Sequence, residues 1–281
     1  MADDRESPPR CTLRELERAY DGLLLDAYGV LNDARGALPG ARALIDRLTA
    51  DGPAFWVVTN GAARLPEAVA QRFASFGLAI PVERIVTSGD LLAPWFAEAG
   101  LGGARTAVLG TADSCRYVER AGGDIVALTA DAELDVLVLA DESGYDFLPM
   151  LDLALTVILA HVERGACPRL CLPNPDLIYP SQDGGFGFTA GAAAMLLEAA
   201  VERRCGVRLA FERLGKPYRP IFDEAIRRAG SRRLLMIGDQ LETDIAGARA
   251  AGLDAALLET GVSTWQSGHP VTPTFLLSSL A

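Results

Sequence analysis

The sequence predicts an α/β protein built on a doubly wound parallel sheet, and three observations predict it. Short apolar runs at Gly22–Leu25, Phe55–Val58 and Leu234–Ile237 read as strands buried on both faces. Segments with helical spacing separate them, so strand and helix alternate as in a parallel sheet covered on both sides. Each run also ends in a polar group: Asp26, Thr59-Asn60 or Asp239. Open α/β sheets place ligands at such carboxyl ends. One acid there is ordinary turn punctuation, but three strand ends at one rim are an argument.

In chain order, residues 1–11 read as disordered, and Thr12 caps a short helix to Ala19. After the Gly22–Leu25 strand, Ala41–Ala50 has helical spacing and stops at Gly52. The second strand follows, and Pro66 suits the first turn of a helix running to about Phe76. Between about Ser88 and Phe188 lies a second set of the same kind, with strands predicted at Thr106–Leu109, Asp124–Ala127, Val136–Leu139 and Arg169–Leu172. Asn174–Pro180 and Asp183–Gly187 are turn-rich and read as its exit linker. An α/β module of about 100 residues inserted into the first accounts for this order. The Leu234–Ile237 strand then leads into Gly238-Asp239 and a helix over Leu241–Ala251.

Composition limits the function. Half of the 281 residues are hydrophobic and 22% are charged, as in a globular protein. The net charge of −11 argues against a nucleic-acid or anionic-membrane partner. The apolar run at Leu151–Ala160 is too short to span a bilayer and contains Asp152. The acidic N-terminus lacks the apolar core of a secretory signal, so a cytoplasmic location is expected. Cys11, Cys115, Cys167, Cys171 and Cys205 are scattered. Cys167 and Cys171 have a metal-compatible spacing but no second pair, so buried thiols are expected. His161 and His269 give a His-based triad no support, and His161 reads as structural.

The chemistry rests on the strand ends. Asp26 and Asp239 are placed to share a hard divalent cation such as Mg²⁺, which prefers carboxylates and water. Thr59 offers a hydroxyl, and the backbone N–H groups before the next helix suit a phosphate. Lys216, in Gly215-Lys-Pro217, is the only lysine in the chain. An arginine-biased genome would leave a single lysine by accident. A compact point charge that reaches both a phosphoryl oxygen and a carboxylate is nevertheless work for lysine.

Leu25-Asp26-Ala-Tyr-Gly-Val-Leu, Val58-Thr59-Asn60-Gly61, Gly215-Lys216-Pro217 and Gly238-Asp239-Gln-Leu-Glu-Thr-Asp244 resemble the four motifs of the haloacid dehalogenase superfamily. With Asn174-Pro-Asp176 and Gly191-Ala192, the chain is similar to the NagD-like, p-nitrophenylphosphatase-like branch with a large α/β cap. The resemblance implies a Rossmann-like core of residues 1–87 and 189–281, with residues 88–188 as the cap. It implies that Asp26 is the nucleophile and forms an aspartyl-phosphate. It implies Mg²⁺ held by Asp26, Asp239 and the Tyr28 backbone carbonyl, with Asp244 in support. Thr59, Asn60 and Gly61 would hold phosphoryl oxygens, and Lys216 would offset their charge. Read by themselves, Asn60 and Gly61 also suit a plain turn, and an acid at Asp244 suits any first helical turn. Lys216 is expected too far out to replace the cation between Asp26 and Asp239. The implied partner is a small phosphorylated metabolite, and a homodimer is left open.

One position departs from the pattern. Phosphatases of this superfamily usually carry a second Asp two residues after the nucleophile, as general acid and base. Tyr28 stands there. A phenol, which ionises near pH ~10 in water, is a poor base at neutral pH, and losing a general acid–base costs about 10²–10⁴-fold in rate. Two alternatives stay open. The run Asp-Ala-Tyr-Gly also resembles 2-haloacid dehalogenases, in which the Asp attacks carbon without a metal, although such enzymes have little use for Asp239 and Asp244. The other is a catalytically idle protein that binds a phosphorylated ligand through Thr59 and Lys216.

Overall fold

The computed structural model describes residues 7–180 and 185–280. Helix α1 (Leu13–Glu17) precedes β1 (Gly22–Leu25), α2 (Ala41–Ala50), β2 (Ala54–Thr59), α3 (Pro66–Ser75) and β3 (Ile85–Thr87). The middle of the chain forms α4 (Leu92–Ala99), β4 (Arg105–Leu109), α5 (Ala112–Arg120), β5 (Asp124–Ile125) and β6 (Val136–Leu139). It continues through α6 (Phe147–Glu163), β7 (Arg169–Leu172), β8 (Ile178–Pro180), β9 (Phe186–Phe188), α7 (Ala190–Cys205) and β10 (Glu212–Arg213). The last part holds α8 (Arg219–Ala229), β11 (Leu234–Gly238), a π-helical turn (Leu241–Ile245), α9 (Ala246–Ala250), β12 (Asp254–Leu258) and β13 (Phe275–Leu277).

The chain divides into two compact units. The first comprises Met1–Thr59, Pro66–Val86 and Lys216–Ala281. Its six-stranded sheet has the order β13-β12-β11-β1-β2-β3. β1 pairs in parallel with both β2 and β11, and β11–β12 and β12–β13 are parallel too. This is the order of a doubly wound, Rossmann-like sheet: the chain winds outward from β1 in one direction, then returns to β11 and winds the other way. The crevice where the order reverses lies between β1 and β11. Every residue of these two strands is buried, which is why both read as unbroken apolar runs. Leu25 lies opposite Ile237, so Asp26 and Gly238-Asp239 leave the sheet side by side at that crevice. The Asp26 N–H extends the ladder by one bond, donating to Ile237 O at 2.9 Å.

The second unit comprises Asn60–Leu65 and Thr87–Gly215. Among the described residues it has a parallel five-stranded sheet, β10-β7-β6-β4-β5, and an antiparallel β8–β9 hairpin. Leu137, Leu139, Val157, Ile158, Leu170 and Leu197 are in its core.

Four sequence expectations need correction. The inserted segment does not end at residue 188: α7 and β10 belong to the second unit. Ala190, Ala193, Ala194, Leu197 and Val201 of α7 are buried in that unit's core, and β10 adds a strand beside β7. The turn-rich exit linker is a hairpin, with Ile178 opposite Phe188 and Pro180 opposite Phe186; residues 181–184 lie outside the described residues. Residues 7–11 are not disordered, because Leu276 N donates to Pro9 O and Cys11 N to Leu276 O, tying them to β13; residues 1–6 lie outside the described residues. The helix expected over Leu241–Ala251 begins as the π-helical turn, for a reason that appears at the site. The Thr12 cap is formed as a reciprocal capping box with Glu15. His161 is buried, with Nδ1 bonded to Val157 O at 2.9 Å, in keeping with a structural histidine.

Candidate active site

Asp26, Asp239 and Asp244 converge at the crevice between β1 and β11. All three are buried, and one ligand atom from each lies within 4.8 Å of the others. Among the described residues they form the one group of three or more His, Cys, Asp or Glu side chains so placed. Asp244 comes from the π-helical turn. The extra residue in that turn, with Ile245 N bonded to Gln240 O at 3.2 Å, swings Asp244 back over the strand end. Its Oδ2 accepts the N–H groups of Asp239 and Gln240, both at 3.2 Å. The fold thus uses Asp244 twice, as a cap for the turn and as a wall of the cluster.

Lys216 joins this cluster on the side of Asp26 and Asp244. Lys216 Nζ donates to Asp26 Oδ1 at 2.5 Å and to Asp244 Oδ1 at 2.7 Å, and the side chain is 4% exposed. Its pairing is with Asp26 and Asp244 and not across the Asp26–Asp239 gap, and spacing along the chain does not display a contact between residues 190 positions apart. Asp239 accepts no hydrogen bond from Lys216 among the described residues and feels it only through charge. Its Oδ2 accepts the Val262 N–H at 2.9 Å, while its Oδ1 is buried with no hydrogen-bond partner among the described residues.

Three carboxylates thus face one ammonium in a site removed from water. Burial raises the Asp26 carboxyl well above the usual range; Lys216 opposes the rise, and Asp244 and Asp239 add to it. Burial and then Asp244 push Asp239 up to about 6, against the Val262 hydrogen bond. Burial alone would lower Lys216, but Asp244 and Asp26 more than offset it and hold the ammonium charged. The remaining excess of negative charge, the bare Asp239 oxygen and the all-oxygen donor set fit a hard dication such as Mg²⁺.

Glycines make the convergence sterically feasible. Gly29 has φ +94°, and a Cβ there would lie 2.2 Å from Asp239 Oδ2. A Cβ at Gly238 would lie 2.2 Å from Asp244 Cβ, and one at Gly261 would lie 2.2 Å from Asp239 Cβ. The loop after β12 supports Asp239 further, since Ser263 N donates to Asp239 O and Ser263 Oγ accepts the Leu241 N–H. The sequence reading did not single out Gly29, Gly261, Val262 or Ser263. Their signal was faint: a glycine three residues after the nucleophile, and a Thr-Gly-Val-Ser run after a strand.

Tyr28 is half-buried, in a tight loop where it pairs with Asn32 and where Gly29 N donates to Asn32 O at 2.9 Å. Thr59 ends β2, whose Val57 lies opposite Leu25 of β1. Asn60 and Gly61 follow it in the chain and belong to the second unit. Asn60 is buried, and its Nδ2 donates to Asp176 Oδ1 at 2.9 Å. The Asn174-Pro-Asp176 run thus supplies Asn60's partner, a link that no spacing along the chain displays. Cys171 is buried as expected, but Cys167 is exposed, because it lies in the loop before β7 and not in the strand; all five cysteines are free.

The chain is also similar to known proteins. A haloacid dehalogenase-like hydrolase model matches residues 23–124, and a second model of HAD-hydrolase-like proteins matches residues 213–281. The glycerol-3-phosphate phosphatase of Gallus gallus is 31% identical over 276 residues, covering 92% of this chain and 86% of its own. A crystal structure from Cytophaga hutchinsonii, titled a possible sugar phosphatase of the HAD superfamily, superposes with TM-score 0.83 at 29% identity, covering 98% of this chain and 99% of its own. The glycerol phosphate phosphatase of Mycobacterium tuberculosis, solved with magnesium, superposes with TM-score 0.79 at 28% identity, covering 94% of this chain and 76% of its own.

Proposed function

The chain belongs to the haloacid dehalogenase-like hydrolases, in their NagD-like, p-nitrophenylphosphatase-like branch, and from that membership we propose that it hydrolyses small phosphate esters by attack of Asp26 on phosphorus. It is a phosphatase-like hydrolase with Mg²⁺ as cofactor. The observation that carries the proposed roles is the unbalanced acidic cluster. One buried carboxylate, Asp26, is held by a lysine, and another, Asp239, presents an oxygen without a partner.

In this reading Lys216 favours the ionised form of Asp26 against burial and occupies its Oδ1, so attack falls to Oδ2. The Asp26 oxygen forms a bond to phosphorus as the ester oxygen departs with the bonding pair. Water then cleaves the resulting acyl phosphate, releasing phosphate and restoring the carboxylate. Asp26, Asp239 and the Tyr28 carbonyl would hold Mg²⁺, with Asp244 steadying the turn beside them. When bound, Mg²⁺ neutralises the charge that accumulates between the carboxylates and the phosphoryl oxygens. Thr59, with the backbone of Asn60 and Gly61 after it, holds phosphoryl oxygens, while Lys216 offsets their charge. Tyr28 occupies the general-acid position without a carboxylate.

The substrate class is a small phosphorylated metabolite of the sugar- or glycerol-phosphate kind, as the names of the relatives suggest. The test is a screen of p-nitrophenyl phosphate, sugar phosphates, nucleotides, phosphoglycolate and pyridoxal phosphate, with and without Mg²⁺. Mg²⁺-dependent phosphate release that disappears in Asp26→Ala is expected. Turnover retained in that variant would overturn the assignment, and phosphate binding without turnover would favour an idle binding protein.

A second copy of the chain is a further partner. The α7 face opposite its buried one carries Ala192, Met195, Leu196 and Ala199, with Met195 52% and Leu196 62% exposed. These four side chains are apolar and grouped on one face, as in a surface that receives a partner. Light scattering should give a dimer mass, and Leu196→Glu a monomer mass. A monomeric wild type at micromolar concentration would remove the idea.

A further inference from the structure

The loop that follows Thr59 is held by side chains of the second unit at nearly every peptide. Ser88 Oγ donates to Asn60 O at 2.6 Å, Ser114 Oγ to Ala62 O at 2.9 Å, Thr111 Oγ1 to Ala63 O at 2.6 Å and Tyr117 OH to Arg64 O at 2.7 Å. Asp113 accepts the Leu65 N–H at 3.0 Å, and Asp176 accepts the Asn60 side chain at 2.9 Å. The holding groups are themselves fixed. Ser88 and Ser114 are 0% exposed, and Thr111 and Ser114 bond each other's backbone at the start of α5. The Asn174 carboxamide oxygen accepts the Asp176 N–H at 3.1 Å. A Cβ at Gly215 would lie 2.5 Å from Asn60 Oδ1, so the backbone closes in on Asn60 from another side.

In a trans peptide the carbonyl and the following N–H point in opposite directions. Holding the Asn60 carbonyl therefore fixes the direction of the Gly61 N–H. Without Ser88, that peptide could turn its carbonyl toward an anion and repel it. Donors held in place before the ligand arrives cost no reorganisation on binding.

We propose that Ser88 and Asp176 are positioning residues for phosphate binding: Ser88 sets the Asn60–Gly61 peptide plane, and Asp176 anchors the Asn60 side chain. This rests on the reading of Thr59–Gly61 as the phosphoryl contact. Neither residue touches the reacting atoms. Each acts through Asn60.

The test uses the full chain with Mg²⁺. The readouts are p-nitrophenyl phosphate kinetics, competitive inhibition by inorganic phosphate, Mg²⁺ titration and thermal unfolding. Ser88→Ala and Asp176→Ala should each raise KM and the phosphate inhibition constant about 5–10-fold, the worth of one hydrogen bond. Their kcat should change less than KM, and their Mg²⁺ affinity should stay the same. Asp176→Asn, which can still accept from Asn60, should remain within about 3-fold of wild type. Asp176 is only half-buried, so its variants keep the test open if Ser88→Ala fails to fold. Alanine variants that unfold earlier but bind phosphate as wild type does would show a structural role only and overturn the proposal. A wild type that neither turns over p-nitrophenyl phosphate nor is inhibited by phosphate would overturn the underlying functional reading instead.

Discussion

Lys216 stands between two carboxylates, and that placement sets what its removal should do. In Lys216→Met, Asp26 and Asp244 would face each other in a buried site with no cation between them. Breaking a buried ion pair by deleting one partner costs about 3–5 kcal/mol. Thermal unfolding in EDTA should therefore show a clearly lower midpoint. The activity should fall about 10²–10³-fold, as when a preorganised electrostatic group is lost. Tyr28 leads to a prediction about selectivity. If no carboxylate assists departure, p-nitrophenyl phosphate and acyl phosphates should be cleaved far faster than sugar phosphates. Tyr28→Asp should raise alkyl-phosphate turnover by up to about 10²–10⁴-fold, with Mg²⁺ affinity little changed. Equal wild-type rates on both ester classes, with Tyr28→Asp no better, would point to another residue as the acid.

At the scale of elements, the acidic cluster depends on close approach of backbone segments. The π-helical turn brings Asp244 over Gly238, and the loop after β1 brings Gly29 against Asp239. Gly29→Ala tests this directly. The left-handed backbone at this position strains any other residue by about 1–3 kcal/mol, and the added methyl would push against the Asp239 carboxylate. Isothermal titration should show weaker Mg²⁺ binding, and unfolding should show lower stability. An unchanged Mg²⁺ affinity would mean that the cation does not depend on where Asp239 is held.

At the scale of the whole molecule, the excess negative charge couples metal binding to folding. A ligand that binds only the folded chain stabilises it by about 2.7 kcal/mol at 100 times its dissociation constant. The unfolding midpoint should thus rise with Mg²⁺. In Asp239→Asn the metal-free protein should be more stable than wild type, because one of three mutually repelling carboxylates is gone. Its midpoint should no longer respond to Mg²⁺. A variant that keeps the wild-type response would exclude Asp239 as a ligand.

The sequence by itself determined the two strand ends that frame the site. Gly22–Leu25 and Leu234–Ile237 are apolar throughout, so both had to be buried on two faces, and the polar residue after each had to emerge at a sheet edge. The same local logic placed the Thr12 cap. Only the tertiary structure decided that Lys216 bridges Asp26 and Asp244, that Asp239 keeps a bare buried oxygen, and that Ser88 and Asp176 hold Asn60. It also assigned α7 to the second unit, because an alanine-rich helix shows no strong preference until a surface is there to receive it. The physical reason is range. Burial of a strand follows from a handful of neighbouring residues, whereas a side chain's partner 28 or 190 positions away is selected by packing of the folded chain.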